Sequence, residues 1–146
     1  MANVTDVASY ILAHRGPMTA MKLQKLVYYS QAWSLVWDDK PLFPERIEAW
    51  AMGPVVPLLY AYHRGQYQVN EINGGNPGAL DREERKTVDA VLEFYGDKSS
   101  QWLSDLTHQE KPWQDARKGC DPGEFCENEI TQASMAEYYS TLNAQK

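Results

Sequence analysis

Hydrophobic residues recur along most of the chain at intervals of three or four positions, a pattern typical of amphipathic helices. The first such segment runs from about Val4 to His14. Asn3 or Thr5 can cap its start, and the pair Gly16-Pro17 follows its end. The beginning of the chain is therefore predicted to be a short helix.

The longest apolar stripe follows Thr19, which can cap a helix that runs to Trp37. Apolar side chains lie on most sides of this segment, and the polar residues Lys22, Gln24 and Lys25 leave only a narrow solvent-facing strip near its start. A stripe this broad predicts a central helix that other elements contact on most sides. Its aromatic residues are interpreted as core rather than as a ligand site.

Further helices are predicted over 56–64, 80–96, 97–109, 111–119 and 130–146. Pro57 suits the first turn of one of them, Asp81 can cap the next, and Ser99 or Ser100 can cap the third. In the third helix the hydrophobic spacing predicts that Trp102, Leu103 and Leu106 face inward.

The β content is predicted to be small. Residues 46–52 alternate loosely between turn formers and suggest one short strand, with Gly53-Pro54 as the turn after it. The glycine-rich stretch 65–81 is either a hairpin or a surface loop, with possible β structure at 66–73. The predicted fold is mainly α: residues 1–146 form a compact single-domain helical bundle around a central helix, with a small β-strand or hairpin element.

Composition and charge narrow the classes of partner. The chain is 43% hydrophobic and 12% aromatic, which predicts a folded globule. Its formal net charge of −6 makes nucleic acid an unlikely partner. No apolar run approaches the roughly 20 residues of a spanning helix, and no leader pattern opens the sequence, so we expect a cytoplasmic protein with no membrane partner. Cys120 and Cys126 are accordingly expected to be reduced thiols.

The segment LTHQEKPWQDAR, residues 106–117, is the main candidate for chemistry. His108 and Glu110 stand two apart, a spacing open to a metal site or an acid–base pair. The structural alternative is a capping box between Thr107 and Glu110, followed by a helical turn, with Arg117 paired to a nearby carboxylate. The cysteine spacing C-x₅-C does not predict zinc, no catalytic signature is present, and no cofactor is expected.

Three segments together resemble the Panacea domain: MKLQKLVYYSQAW, PLFPERIEAWAMGPVVPLLY and LTHQEKPWQDARKG. That family occurs in phage-associated proteins and in antitoxins of type II toxin–antitoxin pairs. The resemblance implies a small, mostly helical, non-enzymatic protein that binds and neutralises a cognate toxin. Some members resemble adaptors that deliver the toxin to an ATP-dependent protease.

Within these motifs we expect the partner-binding residues to come from Trp50, Met52, Pro54, Tyr60, His108, Glu110, Trp113 and Arg117. Trp50, Met52, Tyr60 and the Trp113 segment are hypothesised to form a partly exposed apolar patch; the alternative is that all four are buried. Two other functions stay open: a phage-associated protein that binds a host factor other than a toxin, and a hydrolase that depends on His108 and Glu110.

Overall fold

The structure, a computed structural model, describes residues 1–144 and is mainly helical, as predicted. The described part contains seven helices: α1 Val4–Arg15, α2 Ala20–Trp37, α3 Pro57–His63, α4 Arg82–Tyr95, α5 Ser100–His108, α6 Lys111–Ala116 and α7 Gln132–Ala144. The last two positions of the predicted terminal helix, 145 and 146, lie outside the described residues. Within residues 1–144, no helix has the length and apolar character needed to cross a membrane.

Helix α2 packs against α1, α4, α5 and α7, and its apolar residues form much of the core. Thr19 caps it as predicted, because its side-chain oxygen accepts a hydrogen bond from the backbone N–H of Lys22 (3.1 Å). The prediction that Gln24 and Lys25 face solvent is wrong: they are only 2% and 1% exposed. The strands and the helix that follow α2 in the chain cover this side of it.

The caps predicted for the later helices are found, with Asp81 before α4 and Ser99 before α5. Leu103 is buried as predicted, whereas Trp102 is 42% exposed, so its predicted inward position is wrong. The side of α5 that meets the interior carries Leu103 and the small polar residues Ser104 and Thr107. Trp102 precedes Ser104 by two positions, which places it on the opposite side of the helix, so its indole points outward.

Five short strands form two small antiparallel sheets: β1 Met18–Thr19 with β4 Gln68–Val69, and β2 Ile47–Trp50 between β3 Gly53–Val55 and β5 Glu129–Ile130. Strand β2 confirms the strand predicted at 46–52, but β1 and β5 lie outside the regions predicted to hold β structure. The predicted turn at Gly53-Pro54 is also wrong. The chain turns at 51–52, and Pro54 pairs with Ala49 in the ladder. Since β3 is an edge strand, its proline needs no ladder donor.

The loop before β5 is closed by a disulfide between Cys120 and Cys126, so the prediction of reduced thiols is wrong. Arg117 holds this loop from inside. Its guanidinium donates to the backbone carbonyls of Asp121 (3.2 Å) and Glu124 (2.7 Å). A third bond reaches the carbonyl of Ala49 in β2 (2.8 Å). Arg117 thus binds backbone oxygens, and the predicted pairing with a carboxylate is not found among residues 1–144.

Candidate functional site

The hairpin formed by β2 and β3 lies over the first turns of α2 and is held there by a buried lysine. The Nζ of Lys25 donates a hydrogen bond to the carbonyl of Pro54 (3.1 Å). Gly53 makes the close approach possible, because a Cβ at that position would lie 2.5 Å from Cε of Lys25. The φ of Gly53 is +123°, a region that favours glycine.

Gln24 holds the next residues of the GPVVP segment. Its Oε1 accepts the backbone N–H of Val56 (2.9 Å), and its Nε2 donates to the carbonyl of the same residue (3.4 Å). The same Nε2 also donates to Nε2 of His63, at the end of α3 (3.0 Å). The backbone between β3 and α3 is therefore fixed by one buried amide, which satisfies polar groups that would otherwise be buried without partners.

Within residues 1–144 the amine of Lys25 has no counter-ion, which is unusual for a buried lysine. No carboxylate in the described part of the chain lies within 4 Å of it. Burial lowers the pKa of Lys25 from 10.5 to about 7. Burial also lowers the pKa of His63, and the nearby Lys25 lowers it further. The hairpin is therefore seated on an amine that is only partly charged near neutral pH.

The outer side of the hairpin carries a cluster of partly exposed apolar residues, which we call the hairpin face: Trp50, Met52, Tyr60 and Phe125. The ring of Trp50 lies edge-on to Tyr60, with centroids 5.1 Å apart, and to Phe125 at 5.2 Å. Met52 is 51% exposed and Phe125 is 60% exposed. Trp50, Met52 and Tyr60, three of the four residues of the hypothesised patch, lie together here, and the fourth, Trp113, is also partly exposed.

A small cavity of about 140 Å³ opens beside the hairpin face. Trp50, Met52 and Tyr60 line its walls, and Lys25 and Gln24 also contribute to its lining. Its lining is mostly apolar, and the imidazole of His63 joins the amine and the amide as polar groups.

The fourth member of the hypothesised patch, Trp113, supports the hairpin from the side. Its indole N–H donates to the carbonyl of Trp50 (2.9 Å), and its ring stacks on His108, with centroids 4.1 Å apart. Burial lowers the pKa of His108, and Lys25 lowers it further. The Nε2 of His108 is buried and has no hydrogen-bond partner within residues 1–144. These groups hold the hairpin from the side, and both His108 and Trp113 stay partly exposed there.

Glu110 makes no hydrogen bond to the hairpin in the described part of the chain. Its carboxylate is buried and accepts hydrogen bonds from the hydroxyls of Tyr29 and Tyr139, both at 2.7 Å on Oε1. The predicted capping box is wrong, because Thr107 lies inside α5 and donates to Ser104, while Glu110 itself is the N-cap residue of α6. No hydrogen bond or ion pair joins Glu110 to the ring of His108 among the described residues. The side chains required for an acid–base pair are not brought together.

Residues 1–144 contain no group of three or more histidine, cysteine, aspartate or glutamate side chains that could hold a metal ion. The eight expected partner-binding residues thus separate into three sets. Trp50, Met52 and Tyr60 are accessible, whereas Pro54, Trp113, His108 and Arg117 support the hairpin, and Glu110 belongs to another surface.

A family model described as "Antitoxin SocA-like, Panacea domain" matches residues 23–114, well over half of the chain. The chain belongs to this family. The match begins in α2 and includes Lys25, Gln24, the hairpin and Glu110, but it ends before Arg117 and the disulfide loop. Membership in the Panacea family confirms the resemblance seen in the three motifs and implies an antitoxin-like protein with a protein partner. Comparisons with curated proteins and with solved structures gave no match.

Sequence reasoning missed three residues that build the hairpin site and one that completes its face. Gln24, Lys25 and His63 are the buried polar residues of this site, and the available signal was that Gln24 and Lys25 stand between the apolar residues Leu23 and Leu26 of α2. Phe125 had no signal, because its position depends on the disulfide loop folding back onto β2.

Proposed function

We propose that this protein is an antitoxin that binds a cognate toxin directly through the hairpin face and thereby neutralises it. The proposal rests on membership in the antitoxin-like Panacea family and on one observation. Met52 and Phe125 are more than half exposed, and the rings of Tyr60 and Phe125 both lie against Trp50, beside a backbone held by buried hydrogen bonds. Clustered exposed apolar groups on a soluble domain are typical of interaction surfaces.

The buried hydrogen bonds from Lys25 and Gln24 hold the hairpin in one conformation, which favours tight binding. A loop already fixed in its bound conformation loses little conformational freedom on association, so more of the contact energy appears as affinity. A standard interface takes roughly 800 Å² from each partner, with a few aromatic anchors giving most of the energy. Trp50 and Tyr60 are anchors of this kind. The net charge of −6 suits a basic toxin through electrostatic steering.

Within this proposal residues 1–146 act as one domain, with the helices arranged as a bundle around α2. The protein works in the cytoplasm by stoichiometric binding, without catalysis, cofactor, membrane or nucleic acid. The binding residues are those of the hairpin face. Pro54, His108, Trp113 and Arg117 contribute by holding the hairpin in place.

The test screens the products of the adjacent genes for toxicity and pairs the toxic one with this protein, by co-expression in bacteria and by calorimetric binding of the purified pair. Met52→Ala and Tyr60→Ala should each weaken binding by about 1–2 kcal/mol, and neutralisation should fall accordingly. Their melting temperatures should change little, because both side chains are already partly in water. Leu58→Ala is the matched control: Leu58 is similarly exposed but lies on the other side of α3.

Three results would separate the alternatives. Unchanged affinity in both face variants would place the interface elsewhere. A toxin whose half-life shortens in cells only when this protein and an ATP-dependent protease are both present would add an adaptor role. Failure to bind the neighbouring protein at all would contradict the antitoxin proposal and favour a host factor as partner.

A further inference from the structure

A second concave surface lies on the other side of α5 from the hairpin. It is a groove of about 360 Å³ between α4, α5 and α7. Phe94, Trp102, Leu106, Tyr138 and Leu142 are among its walls, and Glu110 also lines it. Successive helical residues are rotated by about 100°, which places Trp102 and Leu106 opposite Ser104. Since Ser104 donates to Met52 in the hairpin, the groove and the hairpin face are separate surfaces.

The carboxyl group of Glu110 lines this apolar groove, and no residue among 1–144 supplies it with a counter-ion. The residue is 4% exposed, and both tyrosine hydroxyls bind the same oxygen, Oε1. Oε2 receives no hydrogen bond from residues 1–144, and no lysine, arginine or histidine among them lies within 4 Å of either oxygen. Burial raises the pKa of Glu110, while the two hydroxyls lower it. A buried carboxylate with a free oxygen is costly unless a cation reaches it.

The walls of the groove suit a cation as well as the carboxylate does. Aromatic rings present a negative face, and a cation above such a face is attracted to it. Trp102 already shows this property within the protein, because the ammonium of Lys98 lies 4.9 Å from the centroid of its ring. Tyr138 lies in the same groove, and Phe94 is 59% exposed at its edge. The groove therefore combines an acceptor at depth with aromatic surface around it.

We propose that this groove binds an arginine side chain presented by a protein partner, with the guanidinium donating to Oε2 of Glu110 and stacking on the aromatic walls. Arginine fits better than lysine because its planar guanidinium both stacks on rings and donates hydrogen bonds at its edge. The length of its side chain allows the backbone of the partner to stay outside the groove. This site is independent of the hairpin face and of the toxin proposed to bind there.

The test uses N-acetyl-arginine methylamide as the probe and its citrulline counterpart as the uncharged control. The probe is titrated into isotope-labelled full-length protein, with NMR shifts of the Trp102 indole N–H and the Leu106 and Leu142 methyl groups as the readout. We expect saturable shifts in the millimolar range, the scale of one charged hydrogen bond with one cation–π contact. The citrulline compound should bind at least about tenfold more weakly.

Two variants locate the site, and a third is the control. Glu110→Gln and Trp102→Ala should each reduce affinity for the arginine probe by at least about tenfold. Tyr67→Ala, which removes an exposed aromatic side chain outside the groove, should leave it unchanged. Glu110→Gln keeps an oxygen for the two tyrosine hydroxyls. If this variant nevertheless fails to fold, the proposal is tested by the affinity of Trp102→Ala for the arginine probe and by the comparison of the two probes on the wild-type protein.

Equal binding of the arginine and citrulline probes would overturn the proposal, as would shifts that persist in folded Glu110→Gln. Absence of any shift at the Leu106 and Leu142 methyl groups would do the same. None of these outcomes bears on the hairpin face, whose test depends on Met52→Ala and Tyr60→Ala.

Discussion

Replacing Lys25 by methionine should remove a specific dependence of stability on pH. The folded protein holds this amine in the interior, where burial lowers its pKa from 10.5 to about 7. In the unfolded chain the amine is in water and has an ordinary pKa. Between these two values the unfolded state binds a proton that the folded state has lost. The free energy of unfolding should therefore rise with pH across this window.

The expected magnitude follows from the width of the window. Each pH unit inside it adds at most about 1.4 kcal/mol to the free energy of unfolding. From about pH 7.5 to about pH 9.5 the wild-type protein should therefore gain roughly 2.5 kcal/mol from this one group. Burial lowers the pKa of His63 and of His108, so both rings stay neutral throughout. Burial raises the pKa of several tyrosines, Tyr29 and Tyr139 among them, and their opposite effect on stability starts near the top of this window, where the unfolded tyrosines begin to ionise. That effect is the same in Lys25→Met, so the difference between the two proteins reports the amine alone.

The assay is urea unfolding at several pH values across this window. Lys25→Met keeps the length and the apolar stem of the side chain, so the variant should fold but lose most of the slope. Lys86→Met is the control, because Lys86 lies exposed on α4 and its removal should leave the slope intact. A wild-type slope no steeper than that of Lys25→Met would refute the reasoning, since the amine would then keep its proton in the folded state.

Three further predictions concern the backbone around the hairpin. Gln24→Leu should lower the free energy of unfolding by about 2–4 kcal/mol in urea unfolding, because the N–H and carbonyl of Val56 both lose their buried partner; a loss below 1 kcal/mol would mean that water replaces the amide. Gly53→Ala should lower the melting temperature much more than Gly123→Ala. Both glycines have a positive φ, but of these two positions only 53 would bring a methyl group against a side chain, that of Lys25. Equal losses would show that φ alone determines the loss of stability. Reduction of the disulfide should lower stability by about 2 kcal/mol, the value expected for so short a loop, as measured by thermal melts with and without reductant; an unchanged melt would mean that Arg117 alone holds the loop.

The helices were predictable from the sequence because their signals are local. Thr19, Asp81 and Ser99 each cap the helix that follows them, and the hydrophobic spacing after each cap has a helical period. The same local reasoning predicted wrongly that Lys25 faces solvent. A lysine near the start of a helix normally faces water, and nothing within one turn indicates that a hairpin some thirty residues later covers it. Its burial is a tertiary effect.

The candidate site was predictable only in part, for a related reason. Trp50, Met52 and Tyr60 could be proposed because they flank an apolar segment interrupted by prolines. Glu110 was grouped with them because it is close in sequence to His108, yet α5 separates its carboxylate from the hairpin. Phe125 reaches Trp50 through a loop whose closure depends on the disulfide, and no periodic pattern marks such a contact.

The alternation of side chains along the hairpin has a consequence for how binding preference could diversify. In β2 the inward residues Ile47 and Ala49 are buried, whereas the outward residues Glu48 and Trp50 remain partly accessible. The hydrogen bonds that seat the hairpin on α2 use backbone atoms, whose chemistry is the same for any side chain. Outward positions can therefore be exchanged without disturbing those bonds. The hairpin is a natural place to randomise residues when selecting variants that recognise a different protein.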